Sequence, residues 1–395
     1  MDQPTHAGRE TAAEPSAMRR QVYSLPSLIR DEIWEIEART RKAISTPQIF
    51  SLRTLILAGS GDSYMAARAA ADAFVEFSGI LPSVQTSLQA GRYTAAQLGP
   101  QPPDTPMTIC VSSSGEAARL IEAAHAFNHQ GGLTIALTAN PAGRLAQATA
   151  LTIPLHLPPF DPAPGVRSYI LSLLALQMIA IRFGEVRGRI TMDQAMSLRR
   201  ELAAGADMVE RIIEEADTAC RNLAQAWLDC PAFEFLAGGP NVGTAAFGAA
   251  KILEAVGRHA SAVDVEEWNH LNYFIGSPRE TATLILFDAN SAAQSRTREV
   301  FEYLNALGRP WATQGSERPA NSPFHIPVRH TLRETFSPVA HTAPLALYAA
   351  YFNEMTGERY GRGSAGPWHH SRAGNAVRNS AIIPFFDETA EEARL

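Results

Sequence analysis

The stretch TICVSSSGEAARLIEAA, residues 108–124, decides the fold and marks a candidate binding site. A short apolar run stops at three serines and a glycine, and a helical pattern then begins at once. A strand that runs through a turn of small residues into a helix is part of a parallel β–α–β unit. Ligands bind beyond the carboxyl ends of the strands in an open parallel sheet, so this turn is where a ligand is expected.

Strand and helix patterns alternate in both halves of the chain. The first half predicts strands at 54–58, 82–87, 107–111, 133–137 and 151–155. The second half predicts them at AFEFLA (232–237), ASAVDV (260–265), ATLILFD (282–288), RPWATQ (309–314) and FHIPV (324–328). Both halves begin with a strand, a glycine-rich turn and an alanine-rich helix, LILAGSGDSYMAA (55–67) and FEFLAGGPNVGTAA (233–246). This repetition indicates a duplicated α/β unit.

The composition is that of a globular protein of two to three domains, with 46% hydrophobic and 19% charged residues and a net charge of −6 over 395 residues. The sequence has no lysine- and arginine-rich run, so we expect no nucleic-acid partner. The N-terminus lacks the apolar core of a signal peptide, so we expect a cytoplasmic protein. The apolar stretch 169–183 is too short and interrupted to span a bilayer, which predicts a buried helix and no membrane partner.

The same patterns divide the chain into five segments. They are a tail and lead-in helix (1–34), a first α/β domain with the anion loop (35–190), a helical connector (191–228), a second α/β domain (229–385) and a C-terminal tail (386–395). The three cysteines, Cys110, Cys220 and Cys230, show no metal-ligand spacing, so no metal is expected.

The serine turn offers donors to an anion. Ser112, Ser113 and Ser114 precede a helix whose free N–H groups and dipole attract negative charge, and Gly115 lets the backbone approach closely. A phosphate ester, a sulfonate or a carboxylate fits such a site. The alternative is a plain helix cap made by Ser114, but capping accounts for only one of the three serines.

Two other turns are weaker candidates. GSGDS (59–63) is a tight strand-to-helix turn that leaves Gly61, Asp62 and Ser63 over the strand ends. It lacks the third glycine of a dinucleotide fingerprint, so we expect no nicotinamide cofactor. In APGVRSYI (163–170), Arg167 and Ser168 stand where a helix begins, although Arg167 alternatively is a solvated loop residue.

The segment AAKILEAVGRHASAVDVEEWNHLNYF (249–274) holds the densest group of polar side chains. Glu254 falls in an otherwise apolar helix, where burial would raise its pKa and suit a general base. His259, Glu266, Glu267 and His270 follow. The alternatives are that Glu254 pairs with Lys251 and that His259 is a core histidine.

The chain carries four motifs in a particular order and spacing: GSGDSY, SSSGE, GVRS and GAAKILEA…HASAVDVEEWNH. Together they resemble the sugar isomerase (SIS) domain family over about residues 35–385. The resemblance is strongest to its double-domain form, the isomerase half of glutamine-dependent fructose-6-phosphate amidotransferase. It implies two tandem doubly wound parallel-sheet domains, flavodoxin-like with three α/β/α layers. It also implies a homodimer whose site is shared between subunits.

The resemblance also implies roles for single residues. A sugar phosphate would bind Ser112, Ser113 and Ser114 with Ser63 nearby, and Val166 and Ser168 would contact the sugar or hold its amine. Glu254 would move a proton between C1 and C2, and His270 of a neighbouring subunit would open the sugar ring.

The sequence departs from the family at several positions. No catalytic cysteine stands at the N-terminus, so glutaminase activity is not expected. Ala117 stands where the phosphate loop usually has threonine, and Arg167 replaces a small residue. In NAVRNSA (375–381), Arg378 stands where a catalytic lysine is expected, and arginine does not readily give up a proton. His369 and His370 in the same tail are further candidates for proton transfer.

We therefore predict an enzyme without metal or redox cofactor. The expected reaction is aldose–ketose isomerisation, or deaminating isomerisation, of a phosphorylated sugar or amino sugar through an enediol or enolamine. The alternatives are a deglycase of a sugar-phosphate–amine adduct, an isomerase of a sulfonated sugar, and a non-catalytic sugar-phosphate sensor. The presence of both Glu254 and His270 favours the enzyme, since a sensor needs only the anion loop.

Overall fold

The computed structural model describes residues 14–98, 102–361 and 377–383. Its strands are β1 (Leu55–Gly59), β2 (Ser83–Thr86), β3 (Met107–Val111), β4 (Leu133–Thr138), β5 (Leu151–Pro154), β6 (Ala232–Ala237), β7 (His259–Asp264), β8 (Thr281–Leu286), β9 (Trp311–Gly315) and β10 (Phe324–Pro327). Its helices are α1 (Ala17–Tyr23), α2 (Leu25–Ala43), α3 (Thr46–Ser51), α4 (Asp62–Ser78), α5 (Ala95–Leu98), α6 (Ala118–His129), α7 (Arg144–Ala148), α8 (Arg167–Val186), α9 (Met192–Ala226), α10 (Asn241–Ala255), α11 (Val265–His270), α12 (Gln294–Leu307) and α13 (Ser337–Thr356).

The strands form two parallel sheets of five strands each. Their orders are β2-β1-β3-β4-β5 and β7-β6-β8-β9-β10, which is the same order, 2-1-3-4-5, in both units. This is the flavodoxin-like doubly wound order, so the predicted fold class is confirmed. The central strands β3 and β4 are buried along their whole length, which explains why they read as continuous apolar runs.

The apolar stretch 169–183 lies in α8, a helix long and apolar enough to cross a membrane but almost wholly buried inside the protein. It packs against α2, α4 and α9. Tyr169 at its start stacks on Phe247 of α10 at 4.1 Å between ring centroids, and Phe183 at its end meets Phe74 of α4 edge-on. Each such aromatic side chain contributes about 1.5–3 kcal/mol through burial. The predicted buried helix is confirmed, but it extends over 20 residues, so the expectation that it is too short to span a bilayer is wrong.

The two units meet where α4 packs on α10. Gly243 makes this close approach possible, since a Cβ there would lie 2.5 Å from the backbone nitrogen of Ala69. The contact brings α10 of the second unit over the carboxyl edge of the first sheet. It likewise brings α4 of the first unit toward the carboxyl edge of the second.

Each sheet has a crevice where the chain changes its winding direction. In the 2-1-3-4-5 order this point lies between β1 and β3 in the first unit and between β6 and β8 in the second. We refer to them as the first and second crevices. Ligands of doubly wound proteins bind at such points.

Candidate active site

The serine turn lies at the first crevice, directly after β3. Gly115 has φ +66°, and a Cβ there would lie 3.0 Å from the Thr138 hydroxyl, so the turn needs glycine. The following helix begins at Ala118 with Ala117 as its N-cap residue, without a side-chain cap. The alternative that Ser114 caps the helix is therefore wrong, because the turn continues for three residues beyond it.

Two hydroxyl groups of the turn accept hydrogen bonds from its own backbone. The Ser112 hydroxyl accepts from the Gly115 N–H at 3.2 Å, and the Ser114 hydroxyl accepts from the Glu116 N–H at 3.4 Å. Their O–H protons are therefore available to a ligand. Asn140 supports the turn, since its amide donates to the Ser114 carbonyl at 3.1 Å.

The other wall of the crevice is the turn after β1. Gly61 has φ +54° and stands directly before α4, so that Asp62 and Ser63 open the helix. A Cβ at Gly59 would lie 2.8 Å from the backbone nitrogen of Tyr64, which explains the other glycine of GSGDS. Both walls thus present small polar side chains and close backbone.

A cavity of about 490 Å³ lies between these turns and α10. The predicted site residues that line it are Gly61, Asp62, Ser63, Ser112, Ser113, Ser114, Ser168, Glu254 and Arg378. The remaining lining residues were not predicted as ligand contacts, and these are Ser60, Val111, Ala117, Gly165, Tyr169, Ser172 and Val377. Its size suits a small organic ligand, for which sites of about 300–1,000 Å³ are usual.

A buried lysine organises the floor of this cavity. The Lys251 ammonium is fully buried and donates to Asp62 Oδ2 at 2.8 Å, to Glu254 Oε2 at 2.6 Å and to the Gly165 carbonyl at 3.2 Å. The pairing of Glu254 with Lys251, foreseen as an alternative, is present. It does not withdraw Glu254 from the cavity, because the glutamate side chain stays 45% exposed.

Asp62 is the more buried of the two carboxyl groups that pair with Lys251. Burial raises the pKa of Asp62 to about 6, even though the Lys251 ammonium opposes the shift. The two carboxylates hold the pKa of Lys251 above its usual value against the effect of burial. From the sequence, Lys251 was expected only to pair with Glu254, whereas in the structure its charge holds two carboxylates together.

The segment 377–383 closes one side of the cavity. The Arg144 guanidinium donates to the Arg378 carbonyl at 2.7 Å, and the Ile383 N–H donates to Glu122 Oε1 at 2.7 Å. These contacts bring Arg378 to the cavity wall. His369 and His370 lie outside the described residues.

Three predicted site residues do not line the cavity. Val166 is buried as the N-cap residue of α8, and its N–H donates to Gln21 Oε1 at 3.1 Å. The Arg167 side chain points away from the cavity and donates to the Pro158 carbonyl at 2.8 Å. His270 is 63% exposed and pairs with Glu266 at 3.2 Å, on α11 of the second unit.

The second crevice holds a group that the sequence analysis missed. Asp288 Oδ2 lies 2.8 Å from His341 Nε2 and 3.2 Å from His330 Nε2, and such atoms are able to ligate a metal. Gln314 donates to His341 Nδ1 at 3.1 Å, which leaves Nε2 as the nitrogen that donates to Asp288. Burial raises the pKa of Asp288, but both histidines outweigh it and hold this pKa well below its usual value. Because Asp288 lies 42 positions from His330 and 53 from His341 in the sequence, no local spacing reveals the group.

Residues 48–182 match the family model of the SIS domain. This region is a SIS domain. The second unit repeats its strand order, so the chain contains two tandem units with the same doubly wound fold.

Known proteins of this type resemble the chain over most of its length. It is 28% identical over 262 residues to the glutamine–fructose-6-phosphate aminotransferase (isomerizing) of Thermococcus kodakarensis, a match that covers 66% of the chain and 42% of that enzyme. The chain thus spans about two fifths of the length of such relatives. The C-terminal domain of the glucosamine-fructose-6-phosphate aminotransferase from Francisella tularensis has the same fold, with a TM-score of 0.77, 17% identity and coverage of 89% and 99% of the two chains. Glucosamine-6-phosphate deaminase from Thermotoga maritima follows with a TM-score of 0.66, 14% identity and coverage of 87% and 96%.

Proposed function

We propose that the protein is an aldose–ketose isomerase, or a deaminating isomerase, that acts on a phosphorylated sugar or amino sugar. One observation carries the proposal: a single cavity joins the serine turn of the first unit to the Lys251-paired carboxylates. A sugar phosphate has this same division, with an anionic group at one end and the reacting carbons at the other. The names of the relatives, which include fructose 6-phosphate and glucosamine 6-phosphate, support this substrate class.

The serine turn would bind the phosphate. Ser112, Ser113 and Ser114 supply hydroxyl donors, and the amino end of the helix α6 lies just beyond them. Hydrogen bonds to a charged group contribute about 1.5–3 kcal/mol each, so a few of them suffice to hold the phosphate.

Glu254 would carry out the proton transfer. Its half-exposed carboxylate takes a proton from the carbon next to the carbonyl, which gives an enediol or, with an amino sugar, an enolamine. The same carboxyl group returns the proton to the adjacent carbon, and water then releases ammonia where the substrate carries nitrogen. Lys251 offsets the charge of both carboxylates throughout. Asp62, with a pKa of about 6, is suited to exchange a proton with a sugar oxygen near neutral pH.

The proposal includes a homodimer in which His270 of one copy serves the cavity of the other. His270 is exposed beside Leu271 and Phe274, which are 65% and 73% exposed. Exposed apolar side chains around a histidine suit a contact with a second copy. Mixing a His270→Ala variant with a Glu254→Gln variant tests this arrangement. In a mixed dimer, Glu254 of the first variant and His270 of the second form one intact site, and the other site lacks both residues. We expect recovery of up to about a quarter of wild-type activity; no recovery after subunit exchange would contradict a shared site.

Solvent exchange tests the reaction itself. Fructose 6-phosphate, glucosamine 6-phosphate and other phosphorylated hexoses are incubated with the protein in D₂O, and NMR follows deuterium at C1 and C2. We expect deuterium incorporation with one of these sugars. In Glu254→Gln the exchange rate should fall by at least about two orders of magnitude, while sugar binding is retained. Binding without any exchange would instead favour a sensor, and undiminished exchange in the variant would remove Glu254 from the reaction.

A further inference from the structure

A second cavity of about 280 Å³ adjoins the first. The two share Ser113, Gly165 and Ser168 as lining residues. Its outer wall is the proline-rich segment 157–163, LPPFDPA, and its remaining lining includes Gln21 and Arg167. We call this cavity the annex.

The annex contains a buried arginine, Arg167. Its side chain is buried, and the residue is only 7% exposed. One amino group donates to the Pro158 carbonyl, and the guanidinium stacks on Phe160 at 4.4 Å. Its Nε is buried without a hydrogen-bond partner. Within residues 14–98, 102–361 and 377–383 no carboxylate forms an ion pair with it, and burial alone lowers its pKa.

An arginine in this position is unfavourable unless it meets an anion. A buried charge without a partner is costly, because the interior does not replace the water that the charge has lost. Arg167 is also the first residue of α8, where the helix dipole repels a cation. The acidic side chain that lines the annex, Asp161, pairs with Arg20 at 2.9 Å between Nε and Oδ2. The positive charge of Arg167 is therefore available to an incoming ligand.

The annex borders the serine turn through Ser113 and the reacting end of the sugar site through Gly165. Gly165, which borders both cavities, accepts a hydrogen bond from Lys251 through its carbonyl. A Cβ on Gly165 would lie 3.5 Å from Asp62 Oδ2, so this glycine stands directly beside the carboxylate cluster. A group that extends from the reacting carbons past Gly165 would enter the annex.

We propose that the annex binds a carboxylate-bearing substituent of the sugar phosphate, with Arg167 as the residue that pairs with the carboxylate. The proposal rests on the proposed sugar-phosphate site and narrows its substrate class. The substrate carries a second anionic group beyond its reacting carbons. The planar guanidinium suits a carboxylate, to which it donates two parallel hydrogen bonds, and the Phe160 ring and the prolines suit a short carbon linker.

A matched pair of probes tests this inference by calorimetry. Both are 1-amino-1-deoxyfructose 6-phosphate, whose nitrogen carries a carboxymethyl group in one probe and the corresponding neutral amide in the other. The wild type should bind the carboxylate at least about ten-fold more tightly than the amide, as expected for a charge-assisted pair. Arg167→Gln should reduce this ratio to about one, and Arg167→Lys should leave an intermediate ratio.

Arg20→Gln combined with Asp161→Asn is the control, since it removes the ion pair that holds the proline-rich segment but leaves Arg167 in place and frees no carboxylate in the annex. It should keep the wild-type ratio. Equal binding of both probes by the wild type, or an unchanged ratio in Arg167→Gln, would overturn the inference. If neither probe nor fructose 6-phosphate binds, the proposed function fails as well; if fructose 6-phosphate binds while the probes are not distinguished, the annex assignment alone fails.

Discussion

The two crevices have the same topology but opposite contents. In the first, the turn after β3 presents Ser112, Ser113 and Ser114 to an open cavity. In the second, the carboxylate of Glu334 fills the corresponding place after β8. It accepts from the Ser291 hydroxyl at 2.6 Å and from the Ala292 N–H at 3.1 Å. A carboxylate of the protein itself thus occupies the second crevice, whereas the first is open.

The helices that cross between the units show the same contrast. Over the first crevice, α10 contributes Lys251, whose charge holds Asp62 and Glu254 together. Over the second, α4 contributes Glu76, which accepts from Arg333 at 2.8 Å and from Thr335 at 2.6 Å. These bonds fasten the segment that carries Glu334. One crevice is therefore organised to receive a ligand and the other to join the units.

The largest effect is expected from removing the buried cation. Lys251→Met leaves Asp62 and Glu254 without their common partner, and breaking a buried pair costs about 3–5 kcal/mol. Arg333→Met, the matched change at the second crevice, removes a side chain that is 38% exposed and should cost about 1 kcal/mol or less. Urea unfolding compares the two free energies of unfolding. An equal or smaller cost for Lys251→Met would show that the first crevice does not depend on its buried charge.

A smaller effect is expected from emptying the second crevice. Glu334→Ala removes a hydrogen-bonded carboxylate and should lower the free energy of unfolding by about 1–3 kcal/mol. Because Ser291 and the backbone of Ala292 remain as donors, formate should restore part of the loss. Thermal unfolding with and without formate measures this, with Arg333→Met as the control that formate should not rescue. A loss that formate leaves unchanged would argue against an anion site there.

The smallest effect is a difference in pH dependence between Asp62 and Asp288. The pKa of Asp62 is raised to about 6, so the folded state holds its proton more tightly than the unfolded chain, whose aspartates titrate near about 4. Its contribution to stability therefore falls as the pH rises from about 4 to about 6. The pKa of Asp288 is lowered, so its contribution is complete above about pH 4 and is lost as the pH falls further.

Urea midpoints at several pH values separate these contributions. Asp62→Asn should flatten the dependence between about pH 4 and about pH 6, whereas Asp288→Asn should change it only below about pH 4. An unchanged slope in Asp62→Asn would mean that burial does not raise the pKa of this carboxyl group.

The sequence predicts the first crevice well because its features are local. Three serines and a glycine between a strand and a helix fix where the turn lies, and parallel strands bring their carboxyl ends together. The helical position of Glu254 follows in the same way. The second crevice was not predicted, because Glu334 and the partners of Asp288 come from distant parts of the chain.

Side-chain direction was the other limit. Arg167 follows a turn next to the cavity, yet its guanidinium points into the annex, where Pro158 and Phe160 contact it. The sequence predicts the position of its Cα but not its rotamer. His270 shows a related limit, because a single chain does not reveal which surface a second copy covers.

Calorimetric titration with fructose 6-phosphate or glucosamine 6-phosphate tests the central claim, that only the first crevice takes an external anion. We expect one molecule bound per chain. Ser113→Ala combined with Ser114→Ala should weaken binding at least about ten-fold, and the matched Ser291→Ala in the second crevice should leave it unchanged. Two bound molecules per chain, or binding that depends on Ser291 and not on the serine turn, would contradict it.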